Sequence, residues 1–316
     1  MKFYGRWEAF FPRRFKAPFM FSYRHGFHSG NHADVLKHAA LLAIVRYMTE
    51  KPVPITVVDS HAGAGMYRLD GGQAQTSGEA TEGVQKLWTA AQQDLGATLA
   101  PLLGQYLGLL KTFNAGGRCV NYPGSPVWVN SQLRGQDKLK LFELHPTDGR
   151  LLTTEMRKHR AGASIEVFRE DGFTSVPKFF PPASRRGLSV CDPSYEIKTD
   201  YAKVQDLIAT GLTRFSTGTY FVWYPIIARL EAHNLPRRLK TLSNQAGRPW
   251  LHASLQVRGG KTPSGGAAAP GGGLAGSGIF VINPPYTLKA QLEPALPQLV
   301  QCLGQDTHAM SVLEVS

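Results

Sequence analysis

The chain has 316 residues, with 42% hydrophobic and 18% charged side chains, which supports a buried core and excludes wholesale disorder. Its 35 Lys and Arg against 23 Asp and Glu give +12, an excess suited to a polyanionic partner such as nucleic acid. Three scattered cysteines, Cys119, Cys191 and Cys302, exclude a disulfide scaffold and fit a reducing cytoplasm, and without a Cys-x-x-Cys pair no thiolate metal site is expected.

Residues 1–20 carry a net +4 and several aromatics, but Pro12, Arg13 and Arg14 interrupt any apolar run. They are expected to form a disordered basic extension rather than a signal or membrane segment, and no membrane association is expected anywhere in the chain. Next comes the clearest helix, residues 31–50, with Val35, Ala39, Leu42 and Val45 at helical spacing, Ser29 or Asn31 as cap, and Pro52 and Pro54 beyond its end. Residues 55–65, ITVVDSHAGAG, read as a strand buried on both faces that runs into a glycine-containing loop. A polar connection at 66–83 leads to helices near 83–93 and 97–114, a turn at 121–126 and a helix towards Arg134.

The alternation then becomes regular. Strands are predicted at 138–144, 164–168, 187–193 and 219–225, with helices near 147–159, 201–213 and through His233. Strands at 251–257 and 278–282 and a helix at 288–303 complete the chain. This is the pattern of a doubly wound α/β domain. Residues 21–65 and 136–316 would form it, 66–135 would be a mostly helical insertion, and the Gly/Ala/Pro-rich stretch 259–278 a flexible loop.

Three acidic positions, Asp59, Glu143 and Asp171, follow three successive predicted strands, at the sheet edge where open α/β folds bind ligands. A dinucleotide fingerprint is absent, since Arg68 stands where the third glycine belongs and Glu143 lies 78 residues beyond Gly65. No P-loop is present either. A cofactor without a pyrophosphate, such as S-adenosylmethionine, suits this loop better. Strand GLSVC runs into Asp192-Pro193-Ser194-Tyr195, one residue away from the Asp/Asn-Pro-Pro-Tyr/Phe loop of methyltransferases acting on planar amino nitrogens. Asp192 and the Pro193 carbonyl would accept the two amino hydrogens, and Tyr195 would stack on the base. Asn283-Pro284-Pro285-Tyr286 matches that pattern without departure, but it follows the last predicted strand, expected at the far side of the sheet. Order therefore favours Asp192. The histidine-rich stretch around His28, His32 and Asp34 lacks the Glu of a zinc protease motif. Lys37 and His38 could instead contact a cofactor carboxylate or a phosphate.

The block from Phe21 to His38, FSYRHGFHSGNHADVLKH, resembles the opening of the bacterial 23S ribosomal RNA adenine-N6 methyltransferase family that modifies adenine 2030. The resemblance continues through Asp59–Gly65, Tyr122–Pro126, Glu143–Pro146, Asp171–Phe173, Asp192–Glu196 and Trp223–Pro225. It implies a Rossmann-like class I S-adenosylmethionine-dependent fold with a helical insertion, S-adenosyl-L-methionine as cofactor, protein-poor 23S rRNA as partner, and a cytoplasmic monomer. Carried over residue by residue, cofactor contacts would be Lys37, His38, His61, Ser125, Glu143, Asp171, Gly172 and Asp192. The catalytic group would be Asp192, Pro193 and Tyr195, with Tyr23, His25 and Tyr195 at the substrate. Ser194 departs from the family's second proline. DNA adenine, protein glutamine, or RNA binding without turnover are the competing functions.

Overall fold

The computed structural model describes residues 25–71, 77–93, 98–159, 162–259 and 274–316. Residues 1–20 and most of the stretch 259–278 therefore lie outside the described residues.

Helix α1 spans His32–Glu50. The Asn31 side chain accepts from the backbone N–H groups of Ala33 and Asp34, each at 3.0 Å, satisfying two of the orphan donors of the first turn. This helix is buried almost all round, as a largely apolar helix must be when it lies between a sheet and further helices. It carries His32, Asp34, Lys37 and His38 into the interior with it.

An eight-stranded sheet forms the centre: β1 (Thr56–Asp59), β4 (Lys138–Phe142), β5 (Ser164–Phe168), β6 (Gly187–Cys191), β7 (Thr219–Ile226), β8 (Trp250–Gln256), β9 (Gly276–Ile282) and β10 (Met310–Val315). The strands lie in the order β10-β8-β9-β7-β6-β1-β4-β5. The five from β5 to β7 are parallel, while β9, β8 and β10 pair antiparallel. Order reverses at β1, between β4 and β6, which makes that point of the carboxyl edge the crevice for a ligand. Two apolar layers fill the faces. One joins α1, helices Val84–Gln93, Pro101–Thr112 and Leu288–Leu303 to the sheet, and the other joins helices Thr199–Arg214 and Leu230–Gln245 to its opposite side. The helices between β1 and β4 thus share the core of the main sheet.

Four features differ from the sequence reading. Residues 66–68 (β2) and 121–123 (β3) form a small antiparallel pair, where a connection and a turn were expected. Strand β9 begins at Gly276, inside the stretch expected to be loop. Helix Leu230–Gln245 continues past Pro236, well beyond His233. Strand β10 follows the last helix and pairs with β8 over Met310–Val315, so β9 is not the last strand. Nor is β9 at the far side of the sheet: it lies between β7 and β8.

Candidate active site

A cavity of about 270 Å³ opens at the carboxyl edge of the parallel strands, with α1 along one wall. Lys37 and His38 reach it from α1, His61 from the loop after β1, Glu143 from the end of β4, Asp171 and Gly172 from beyond β5, and Asp192 and Pro193 from the end of β6. Ser125 enters from the start of helix Ser125–Asn130, which the β2–β3 pair sets against the β1 loop through a Gly124 N–H to Gly65 carbonyl bond of 2.8 Å. Strand register explains the convergence. Asp59 pairs with Leu141 and with Val190, so the ends of β4, β1 and β6 finish side by side.

One half of the cavity is built for a polar ligand with an apolar body. The Glu143 carboxylate is aimed by the main chain: Oε2 accepts from Gly63 N–H at 2.8 Å and Oε1 from His145 N–H at 2.7 Å. Each oxygen keeps a lone pair for a hydroxyl donor. Phe142, Leu144 and Phe173 supply apolar wall beside it. Gly63 has φ +65°, and a Cβ there would stand 2.3 Å from the Tyr67 hydroxyl. Burial drives the Glu143 carboxyl up to about 7, the two backbone donors offsetting part of that rise. A ligand whose hydroxyls donate to the ionised form is therefore bound best above pH 7. Its affinity falls by up to about tenfold per unit as pH drops below 7. Titrating cofactor binding by calorimetry from pH 8 to 6 measures this, and Glu143→Gln should flatten the curve.

Gly172 is held against the loop after β1. A Cβ at this position would lie 2.0 Å from the Ser60 carbonyl oxygen, a backbone atom that cannot rotate aside. Asp171 caps the turn that begins at Gly172, accepting from Phe173 N–H at 2.9 Å. Gly172→Ala is expected to cost roughly 1–3 kcal/mol by overpacking, and to weaken cofactor binding by about tenfold through parting the two loops. A thermal melt paired with a binding isotherm checks both numbers.

Beneath this half lies a neutral-to-acidic floor. Ser125 Oγ donates to Asp59 Oδ2 at 2.6 Å and His61 N–H to Oδ1 at 3.1 Å. Burial raises Asp59 to about 6 against those two bonds. The His61 ring, edge-on to Phe173, is lowered by burial to about 3 and so is neutral. His38 Nδ1 and the Tyr122 hydroxyl are 2.8 Å apart, orienting that imidazole from below.

The other half is organised around a buried ion cluster. Lys37 Nζ lies 2.5 Å from Asp192 Oδ2 and 2.8 Å from Asp34 Oδ1, with its side chain 4% exposed. Burial alone would lower the ammonium's pKa, but the two carboxylates outweigh it and hold Lys37 above its ordinary range. Asp34 Oδ2 in turn accepts from Gly30 N–H at 2.9 Å, and the ammonium sits 5.6 Å from the centre of the Trp223 ring.

Tyr195 is not brought to the cavity, contrary to the expectation that it stacks on a base. Its φ of +54° turns the side chain into the core, where it is 2% exposed. The hydroxyl donates to the Trp223 carbonyl at 2.7 Å, and the ring packs 4.6 Å from that of Tyr201. Tyr23 lies outside the described residues. His25 begins a single turn, His25–Phe27, and its side chain is likewise outside what is described. Asn283 is excluded by strand direction rather than by distance along the sheet. Because β9 runs antiparallel to β7, its end faces the opposite edge, where Asn283 donates to the Ser216 and Gly218 carbonyls.

Sequence reasoning missed Asp34 as part of the cluster, although the Asp34/Lys37 spacing of i,i+3 on a helix was a readable signal. Tyr67, which shapes the glycine loop by accepting from Ala64 N–H at 3.0 Å, gave no signal.

The geometry has counterparts among known proteins. A protein from Legionella pneumophila with a crystal structure superposes with a TM-score of 0.77, at 29% identity, covering 92% of this chain and 98% of that one. "Ribosomal RNA large subunit methyltransferase J" of Escherichia coli K12 is 41% identical over 280 residues, spanning 89% of this chain and 93% of its own length. The Haemophilus influenzae protein of the same name is 38% identical over 285 residues, spanning 90% and 94%. Residues 52–314 match the family model described as "Ribosomal RNA large subunit methyltransferase D, RlmJ", and with the cavity, sheet order and these relatives in agreement, the chain belongs to that family.

Proposed function

We propose that this protein transfers a methyl group from S-adenosylmethionine to N6 of an adenine in 23S rRNA, at a site of the 2030 type. The observation that carries the reading is the juxtaposition, in one cavity, of a hydroxyl-accepting carboxylate at Glu143 and a lysine-locked carboxylate at Asp192. The names of the E. coli and H. influenzae relatives supply the substrate class, and the net charge of +12 suits an RNA backbone.

The residues present fit the cofactor. Glu143 would hold the ribose hydroxyls, Phe142 and Leu144 the purine, and Lys37, His38, His61, Ser125, Asp171 and Gly172 the amino-acid end and its surroundings. When bound, S-adenosylmethionine supplies an electrophilic methyl on a sulfonium. The chain's own work is on the base. An exocyclic amine conjugated to a purine is a weak nucleophile. Lys37 donates to Asp192 Oδ2 and fixes the carboxylate, leaving Oδ1 to accept one amino hydrogen while the Pro193 carbonyl accepts the other. Two acceptors draw the nitrogen towards tetrahedral geometry and let electron density build on it. Lys37 and Asp34 are buried and the Asp192 side chain is only 11% exposed, which limits water's competition for those bonds.

No helix among the described residues is long and apolar enough to cross a membrane, and we place the protein in the cytoplasm, where its rRNA is made. The test is incubation of the purified protein with radiolabelled S-adenosylmethionine and protein-free 23S rRNA, with nuclease mapping of the label. Label confined to one adenine N6 is the expected result; label on DNA or protein acceptors instead would overturn the substrate assignment.

A further inference from the structure

We infer that Arg229 is a positioning residue for the Asp192–Tyr195 loop, supplying the rigidity that Ser194, in place of a second proline, does not. The loop is an unusual piece of backbone. Tyr195 adopts φ +54°, in the left-handed region that residues bearing a side chain avoid, so something must hold it there. A proline at 194 would fix φ at that residue and reduce the conformations open to the turn. Serine leaves that torsion open.

Two contacts from outside the loop replace the missing restraint. From β7, the Trp223 carbonyl accepts the Tyr195 hydroxyl at 2.7 Å, which anchors the side chain. Arg229 stands immediately before helix Leu230–Gln245, on extended backbone with φ −130° and ψ 135°. Its Nη1 donates to the Tyr195 carbonyl at 2.9 Å and the Glu196 carbonyl at 3.3 Å. Both bonds come from one guanidinium nitrogen, whose two hydrogens tie successive carbonyls together, and the planar, permanently charged group holds that nitrogen in place. The residue so clamped is two positions beyond Pro193, whose carbonyl is the proposed second acceptor. A shift of an ångström at such an acceptor costs rate far more than it costs binding.

The inference rests on Asp192 and Pro193 acting as the acceptors. Arg229→Ala should lower kcat by about ten- to a hundredfold, with the S-adenosylhomocysteine Kd and the KM for rRNA each within about threefold of wild type. Arg229→Lys should fall between, and it serves as the folded control should the alanine variant prove unstable. Introducing Ser194→Pro into Arg229→Ala should recover most of the lost kcat, a rescue that a merely structural arginine would not give. An unchanged kcat in Arg229→Ala overturns the inference. So does a loss confined to the KM for rRNA, which would make Arg229 a phosphate contact, or a kcat loss that the proline fails to restore. Asp192→Asn, assayed in parallel, separates the two levels: if it turns over like wild type, the acceptor assignment itself has failed.

Discussion

Asp192→Asn should lower the single-turnover rate of methyl transfer by roughly 10²–10⁴-fold, the range for a group that manages a proton at the reacting atom. The substitution is isosteric, so its effect is one of hydrogen-bond polarity. Lys37 lies 2.5 Å from Asp192 and has only donors, so it will claim the one amide oxygen of asparagine. The amide NH2 is then left pointing to where the adenine amino group must come. Donor meets donor, and the nucleophile loses the acceptor that would build electron density on it. Glu143 and its two backbone donors are untouched, so the affinity for S-adenosylhomocysteine should stay within about threefold, less than the tenfold that 1.4 kcal/mol would bring. Rapid-quench measurement with labelled cofactor, alongside an equilibrium binding isotherm, reads both quantities. A variant that keeps more than about a tenth of the wild-type rate would remove Asp192 from the chemistry. Asn283→Ala is the matching control: its side chain is tied to the Ser216 and Gly218 carbonyls at the opposite sheet edge, and it should affect melting rather than rate.

The contrast between these two loops shows what a linear string can and cannot carry. Asn283-Pro284-Pro285-Tyr286 is the better match by letters, yet it ends an antiparallel strand and so faces the wrong edge. Chain order favoured Asp192 for a reason that turned out to be only partly right: β9 lies inside the sheet, and direction decides the matter. Strands β1 and β6 were legible because each is a run buried throughout that ends at or runs into an aspartate, Asp59 and Asp192. Strands β2 and β3 were not, since three residues give no period to detect. Strand β10 was hidden because its residues are half-exposed or exposed and none is buried; its hold on the fold comes from pairing with β8 and from Glu314, which meets His252 at 2.9 Å and Lys240 at 2.6 Å. The orientation of Tyr195 depends on a single torsion, and no residue pattern specifies φ +54° at a tyrosine. The pairing of Asp34 with Lys37 was available from helix spacing, but its meaning came only when Asp192 arrived from the far end of β6.

That three-charge cluster gives the largest expected effect on stability. Lys37→Met keeps an unbranched apolar stem but leaves the buried Asp34 carboxylate and the nearly buried Asp192 carboxylate without their shared cation. Removing one partner from a buried pair costs about 3–5 kcal/mol, so the melting midpoint at pH 7 should fall by about 5–15 °C. The pH dependence follows from the sign of the shift. Lys37 is held above its ordinary value, so its contribution is fully present below the unfolded lysine pKa of about 10.4 and is lost only as pH rises through the still higher folded value. Wild-type and variant should therefore differ by a constant amount across neutral pH. Calorimetric melts at pH 8, 7 and 6 provide the check. A deficit that stays below about 1 kcal/mol at neutral pH would mean that the cluster is solvated like a surface pair, and the reading of Lys37 as the lock on Asp192 would go with it. Loss of activity should accompany the loss of stability at every pH, since without the ammonium Asp192 has no fixed orientation from which to accept an amino hydrogen.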